Sequence, residues 1–277
     1  MRFKTQRKNR SSKTTTPSPV KPSVQNINTT ENATPGIRLN KVIADSGYCS
    51  RRQADILIAN AQVTVNGLVI STLGQLVNPA IDKIAVDGQP LPKFGLQYIL
   101  LNKPVGYLCS KAPQKTQRSL YQLLPSEMHH LDTAGRLDYM SSGAIILSND
   151  GPFIHQITHP KFDVHKTYHV TVSKPLSEDK KKQLSNGVFF KKEQVWAKLH
   201  QIKPVTPKGP QRQKPDTFIY SVTLHTGYNR QIRRAFDKIG NPVLRIHRVA
   251  VGSIHLGNLK GGTFRPLTAS ECQQLRP

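Results

Sequence analysis

Gly135-Arg136-Leu137-Asp138, then Tyr139-Met140-Ser141-Ser142-Gly143, then the apolar run Ala144-Ile145-Ile146-Leu147 closed by Asn149-Asp150-Gly151, is the stretch on which the reading of this chain turns. Four consecutive apolar residues bounded by turn residues predict a short buried strand over 144–147. Just ahead of that strand an acid sits between glycines, a local geometry that holds a carboxylate rigidly at the edge of a cleft. An isolated Gly-x-x-Asp is more often an ordinary turn, so the weight falls on what surrounds it.

Outward from this stretch, Tyr98–Leu101 predicts another short buried strand, followed by Asn102-Lys103-Pro104. Tyr168, Val170 and Val172 alternate as in a half-buried strand, and Phe218–Leu224 predicts a further one. Ser177 to about Ser185 reads as a polar helix stopped by Gly187. Residues 229–239 read as a helix stopped by Gly240, with Ile232, Ala235, Phe236 and Ile239 at i, i+3, i+4 and i+7 on one apolar face. Residues 204–216 hold four prolines and read as a loop bridging two strands. Strands and helices without regular alternation predict an α+β fold with a mixed, mainly antiparallel sheet, in a larger domain over 97–277. No internal repeat is visible.

Before it, residues 37–93 read as a small helix–helix–sheet module. Leu39, Val42, Ile43 and Ala44 predict a helix ending near Gly47. Ser50 with Gln53 reads as a capping box opening a second helix, whose stripe is Ala54, Leu57, Ile58 and Ala61. Asn66-Gly67 between Val63-Thr64-Val65 and Leu68-Val69 is a hairpin signal, and Ile84-Ala85-Val86 with Asp87-Gly88 continues it. Arg38, Lys41, Arg51 and Arg52 cluster around the two helices. With the positive end of the second helix they make a candidate phosphate site. Residues 1–36 are polar, proline-bearing and poor in large apolar side chains, and read as a disordered basic tail.

Charge narrows the function class. The 277 residues carry 40 Lys and Arg against 16 Asp and Glu, a formal +24. The first 36 hold seven of those cations and one acid, so they contribute +6 and leave +18 to the folded part. An excess of this size attracts polyanions, of which nucleic acid is the commonest. Three scattered cysteines, Cys49, Cys109 and Cys272, offer neither a zinc motif nor a disulfide framework. No apolar run approaches the roughly 20 residues that span a bilayer. The expectation is a cytoplasmic protein with no membrane partner; the basic, Ser/Thr-rich start leaves organelle targeting as the alternative.

Two resemblances bring these elements together. Arg38-Leu39-Asn40-Lys41, Cys49-Ser50-Arg51-Arg52-Gln53-Ala54 and Val65-Asn66-Gly67 resemble the RNA-binding domain named after ribosomal protein S-four. That likeness implies binding of structured RNA through Arg38, Lys41, Ser50, Arg51, Arg52 and Asn66, and implies no chemistry. The Gly135–Gly151 run resembles the motif of ribosomal-RNA pseudouridine synthases of the RsuA/RluB type: Gly-Arg-Leu-Asp, Thr or Ser, Gly, an apolar strand, Asn-Asp-Gly. Ser141 stands where Thr is commoner and Ala144 where a larger residue is usual. Leu101-Asn102-Lys103-Pro104-Val105-Gly106, Lys166-Thr167-Tyr168, Gly227-Tyr228-Asn229-Arg230-Gln231-Ile232-Arg233-Arg234 and Gly262-Thr263-Phe264-Arg265-Pro266-Leu267-Thr268 resemble further elements of the same family.

The resemblance implies an isomerase that breaks the glycosidic C–N bond of uridine, turns the base and rejoins it through carbon five. Such a reaction uses no cofactor and no metal. It implies that Asp138 is the nucleophile or base, with Arg233, or failing it Arg230, as its cationic partner, since a guanidinium opposes the rise in pKa that desolvation imposes. It places Tyr168 against the target base, with Lys166 on the same side of the strand, where it stabilises the site or the RNA backbone; Arg136 and Arg234, outside that pairing, are expected on RNA phosphates. The expected partner is ribosomal RNA, of the large subunit before the small, and the expected state is a monomer. The alternatives are a non-catalytic rRNA-binding or assembly factor on the same fold, and a modifier of tRNA or messenger RNA. His155, His159, His165 and His169 have spacings that fit no familiar metal site, and Pro160 interrupts any helix, so no metal is expected.

Overall fold

The computed structural model describes residues 36–111, 116–206 and 216–275. The basic tail expected over 1–36 therefore lies outside the described residues but for Gly36, as does most of the proline-rich loop. The strand His200–Pro204 takes in the first of that loop's prolines, so the loop begins later than expected.

The N-terminal module forms as its pattern predicts. Helix α1, Leu39–Asp45, stops before Gly47, whose φ of 75° is left-handed. Helix α2 is Arg51–Ala59, and the Ser50 hydroxyl accepts from the Gln53 N–H at 3.2 Å. This is one half of the expected capping box; the return bond from the Gln53 side chain is not among those of the described residues. Asn66 and Gly67, with φ of 53° and 83°, turn the hairpin Val63–Val65 to Leu68–Ile70, as a two-residue turn with both centres at positive φ requires. Leu39, Ile43, Ala54, Ile58, Val63 and Val86 close a small core of their own.

The larger unit is built on one mixed sheet whose strands run, in spatial order, His200–Pro204, Phe218–Leu224, Lys166–Val172, Val243–Val251, Ser141–Ser148, Tyr98–Lys103 and Phe264–Pro266. Every neighbour in this order is antiparallel except Ser141–Ser148 against Val243–Val251. The central Val243–Val251 strand is the element that the sequence hid: Arg245, His247 and Arg248 break its apolar pattern. A second surprise is helix α3, Gly151–Thr158. The Asn-Asp-Gly closure of the preceding strand starts it, with the Asp150 carboxylate accepting from the Phe153 N–H at 3.1 Å.

Helix α4, Glu178–Asn186, and helix α5, Gln231–Lys238, both match the expected segments. Their buried faces, Leu184 from one and Ile232, Ala235 and Phe236 from the other, pack with Val170, Val222 and Ile246 of the sheet. Other parts of the sheet bury Ile146 with Phe153, and Ile145 with Leu120 and Leu131. The Asp138 turn sits where Ser141–Ser148 begins, between the packed sheet and the N-terminus of α5.

Candidate active site

The Gly135–Ser141 turn is fixed from several directions. Leu137 is buried and its N–H donates to the Cys109 sulfur at 3.3 Å, while the thiol donates back to the Leu137 carbonyl at 3.4 Å. The Ser141 N–H donates to the Asp138 carbonyl, and the Gly106 N–H to that of Tyr139. Gly143 sets the depth of the arrangement. It pairs with Arg248 across the parallel junction, and a Cβ there would lie 2.2 Å from the Arg248 carbonyl oxygen at a φ of +113°. Only glycine allows the two backbones to approach so closely.

Asp138, half-buried, lines a cleft of about 110 Å³ together with Arg136, Ser141, Tyr168, Leu224, Tyr228, Arg230 and Gln231. A cavity of roughly 150 Å³ holds a benzene ring, so the recess is on the scale of one planar ring rather than a nucleotide. Tyr168 forms one wall, packed between two apolar clusters, and Arg230 another as the residue that opens α5, with φ 49°. Gln231 is buried; its side-chain oxygen accepts from the Thr226 hydroxyl and the Tyr228 N–H, and its amide donates to the Lys198 carbonyl, which holds the 226–231 corner in shape.

Cations stand behind and beside the acid. Lys103 has no exposed surface, and its ammonium donates to the carbonyls of Pro104 and Ser141 at 2.9 and 2.7 Å. Burial lowers its pKa to about 8, although the nearby Asp138 opposes the drop. The Arg233 guanidinium donates to the carbonyls of Val243 and Met140 at 3.1 and 2.9 Å. Burial, then the neighbouring Arg230, hold its pKa below the usual range, again against Asp138. Arg248, buried, lies 6.0 Å from the Tyr168 ring centre, and among the described residues its Nη2 has no hydrogen-bond partner.

Several sequence expectations change here. Among the described residues no arginine lies within ion-pair distance of the Asp138 carboxylate; Arg233 is committed to backbone carbonyls and Arg230 shares the cleft. Lys166 is not brought to the cleft: its ammonium caps helix α3 by donating to the Ile157 carbonyl at 2.9 Å. Arg234 grips Glu193 through two bonds of 2.9 and 2.8 Å and lies 3.8 Å above the Phe190 ring, so it braces the hairpin of Val188–Phe190 and Val195–Ala197. Asn66 uses its amide on the Lys83 N–H and the Asp82 carboxylate. Lys41 is paired with Asp45, and Ser50 caps its helix. Arg38, Arg51, Arg52 and Arg136 stay exposed. Lys103, Arg248, Tyr228 and Gln231 were given no role from sequence. For Lys103 and Arg248 the signal was a charge in a buried register: Lys103 ends an apolar strand, and Arg248 alternates with Ile246 and Ala250.

With this geometry in place, comparison with known proteins is informative. Residues 97–238 match the family model of RNA pseudouridylate synthases, and residues 37–80 the S4 domain. An uncharacterised RNA pseudouridine synthase of Aquifex aeolicus is 34% identical over 86% of this chain and 93% of its own length. Ribosomal large subunit pseudouridine synthase B of Bacillus subtilis is 34% identical over 86% and 95%. Ribosomal small subunit pseudouridine synthase A of Salmonella typhimurium is 34% identical over 85% and 98%. Among solved structures, a crystal structure of a pseudouridylate synthase superposes with a TM-score of 0.60 at 30% identity, covering 86% of this chain and 99% of that one.

Proposed function

The chain belongs to the RNA pseudouridylate synthase family, and on that premise we propose that it isomerises specific uridines of ribosomal RNA, with Asp138 as the carboxylate that attacks or deprotonates the ribose. The observation that carries this assignment of roles is the cleft shared by Asp138, Tyr168 and Arg230. The reaction breaks the bond from the ribose to N1 of uracil, forms one to C5, removes the C5 proton and returns a proton to N1, with no net oxidation. The detached uracil must be retained while it turns, and a recess on the scale of one ring suits that task. Tyr168 offers a face for stacking and a phenol for the C5 proton. Arg230 and Arg233 keep positive potential at the mouth, and Arg248 holds the Tyr168 wall.

The target base leaves its stack at a cost of about a few kcal/mol. Basic surface offsets that cost, and exposed Arg38, Arg51 and Arg52 on the N-terminal module supply phosphate contacts that position the RNA without reading bases. Relatives named for each ribosomal subunit are 34% identical to the chain. Large-subunit RNA is our first target, and the assay maps both.

The test is chemical mapping of pseudouridine in total RNA from cells with and without the protein, complemented by wild type or Asp138→Asn. Wild type restores discrete rRNA positions. Asp138→Asn lowers conversion by at least ~1,000-fold, as loss of an essential reacting group does, while the purified variant binds rRNA as wild type does. Full activity in Asp138→Asn ends the catalytic assignment, and rRNA binding with no converted uridine leaves an assembly factor.

A further inference from the structure

Away from the proposed catalytic chemistry, three strand ends bring together side chains that are distant in sequence. Antiparallel pairing of Lys166 with Leu224 sets His165 and His225 side by side just beyond the ladder. Their ring centres are 3.9 Å apart. Asp163, in the left-handed turn before His165, accepts a bond of 2.7 Å on its Oδ1 from His225 Nδ1, and its Oδ2 is 3.6 Å from His165 Nε2. His200, at the start of the next strand, lies 4.3 Å from the His225 ring. One donor atom from each of Asp163, His165 and His225 falls within 4.8 Å of the others.

We propose that Asp163, His165 and His225 form a three-residue binding site for a divalent transition-metal ion of the zinc type, with the fourth position open to solvent. Imidazole with a single carboxylate suits Zn²⁺, Ni²⁺ or Cu²⁺, whereas Mg²⁺ and Ca²⁺ take oxygen donors. Tetrahedral Zn²⁺ with ligands at about 2.0–2.1 Å sets the donors about 3.3 Å apart. The observed spread asks for a contraction of about 1.5 Å at its widest, within the reach of side-chain rotation at a half-exposed site. This departs from the expectation of no metal. That expectation weighed His155, His159, His165 and His169 by spacing; of these only His165 joins the site, and its partners are Asp163, two residues earlier, and His225, just past the end of the neighbouring strand.

The position ties the site to the cleft. His165 and Lys166 lead into the Tyr168 strand, while His225 follows Leu224 and starts the corner that carries Tyr228 and Arg230. An ion there would staple the two backbone segments from which opposite walls of the cleft extend.

Titration of the metal-stripped full chain with Co²⁺, read by its visible d–d absorption, is the direct test. Displacement by Zn²⁺ and elemental analysis after gel filtration give affinity and stoichiometry. Wild type should hold one equivalent, with the intense band of a tetrahedral site. His225→Ala and His165→Ala should each weaken binding by at least tenfold, and the double variant His155→Ala/His159→Ala should bind as wild type. Asp163→Asn is the variant to use should a histidine change disturb the far-UV circular dichroism. Absence of the band in wild type, or an undiminished equivalent in folded His165→Ala, His225→Ala or Asp163→Asn, overturns the site. No RNA enters the measurement, so its outcome is independent of the uridine assay.

Discussion

A lysine ammonium with no exposed surface stands behind the Asp138 turn, and its protonation should be visible in stability. Burial holds Lys103 and Lys166 at about 8, below the ordinary 10.5. Between those values the unfolded chain binds more protons than the native one, so this contribution to stability rises with pH from about 8 towards 10.5. Half-buried Cys109, whose thiol desolvation pushes up, acts in the opposite sense, so the comparison must be a difference. Denaturant midpoints of wild type minus Lys103→Met, and of wild type minus Lys166→Met, should both grow over that interval; a flat difference means the ammonium groups are not held down. Lys103→Met also strips a donor from the Pro104 and Ser141 carbonyls, at about 1–3 kcal/mol for each one left buried. It should therefore be the less stable variant at pH 7.

At the scale of elements, the contact between Gly143 and Arg248 decides whether the acidic turn and the central strand can meet. Gly143→Ala drives a methyl into the Arg248 carbonyl from a left-handed backbone. It should cost about 2–5 kcal/mol, combining backbone strain with overpacking; thermal unfolding by circular dichroism measures it, and an unchanged midpoint removes Gly143 from this role. The Ser141–Ser148 strand was legible through its unbroken apolar middle, Ala144–Leu147, and α5 because four apolar side chains recur at helical spacing. Val243–Val251 was not, because its buried Arg248 belongs to the site and looks like surface in a pattern of polarity. The same physics hid the site itself. Asp138, Tyr168 and Arg230 share the cleft that motif resemblance implied, whereas Lys166 and Arg234 were drawn away by partners, Ile157 and Glu193, that periodicity along the chain does not reveal.

Over the whole molecule, the formal charge of +24 makes RNA affinity an ionic-strength phenomenon. Plots of log affinity against log salt should fall linearly, and Arg51→Ala/Arg52→Ala should flatten the slope by about one to two counterions. The same variant should bind more weakly at low salt and leave the identity of the modified uridines unchanged. A slope equal to wild type would place these two exposed arginines off the RNA. The single parallel pairing described in the large sheet has an outcome in time as well as in space. Ser141 finds its neighbour Ile246 about a hundred residues later in the chain, and closing so long a span is slow and entropically costly. During synthesis the acidic turn leaves the ribosome long before the strand that braces it. A chain cut short before Val243–Val251 should therefore keep the N-terminal module's own core and lose uridine conversion, because its acidic turn has no partner strand to brace it.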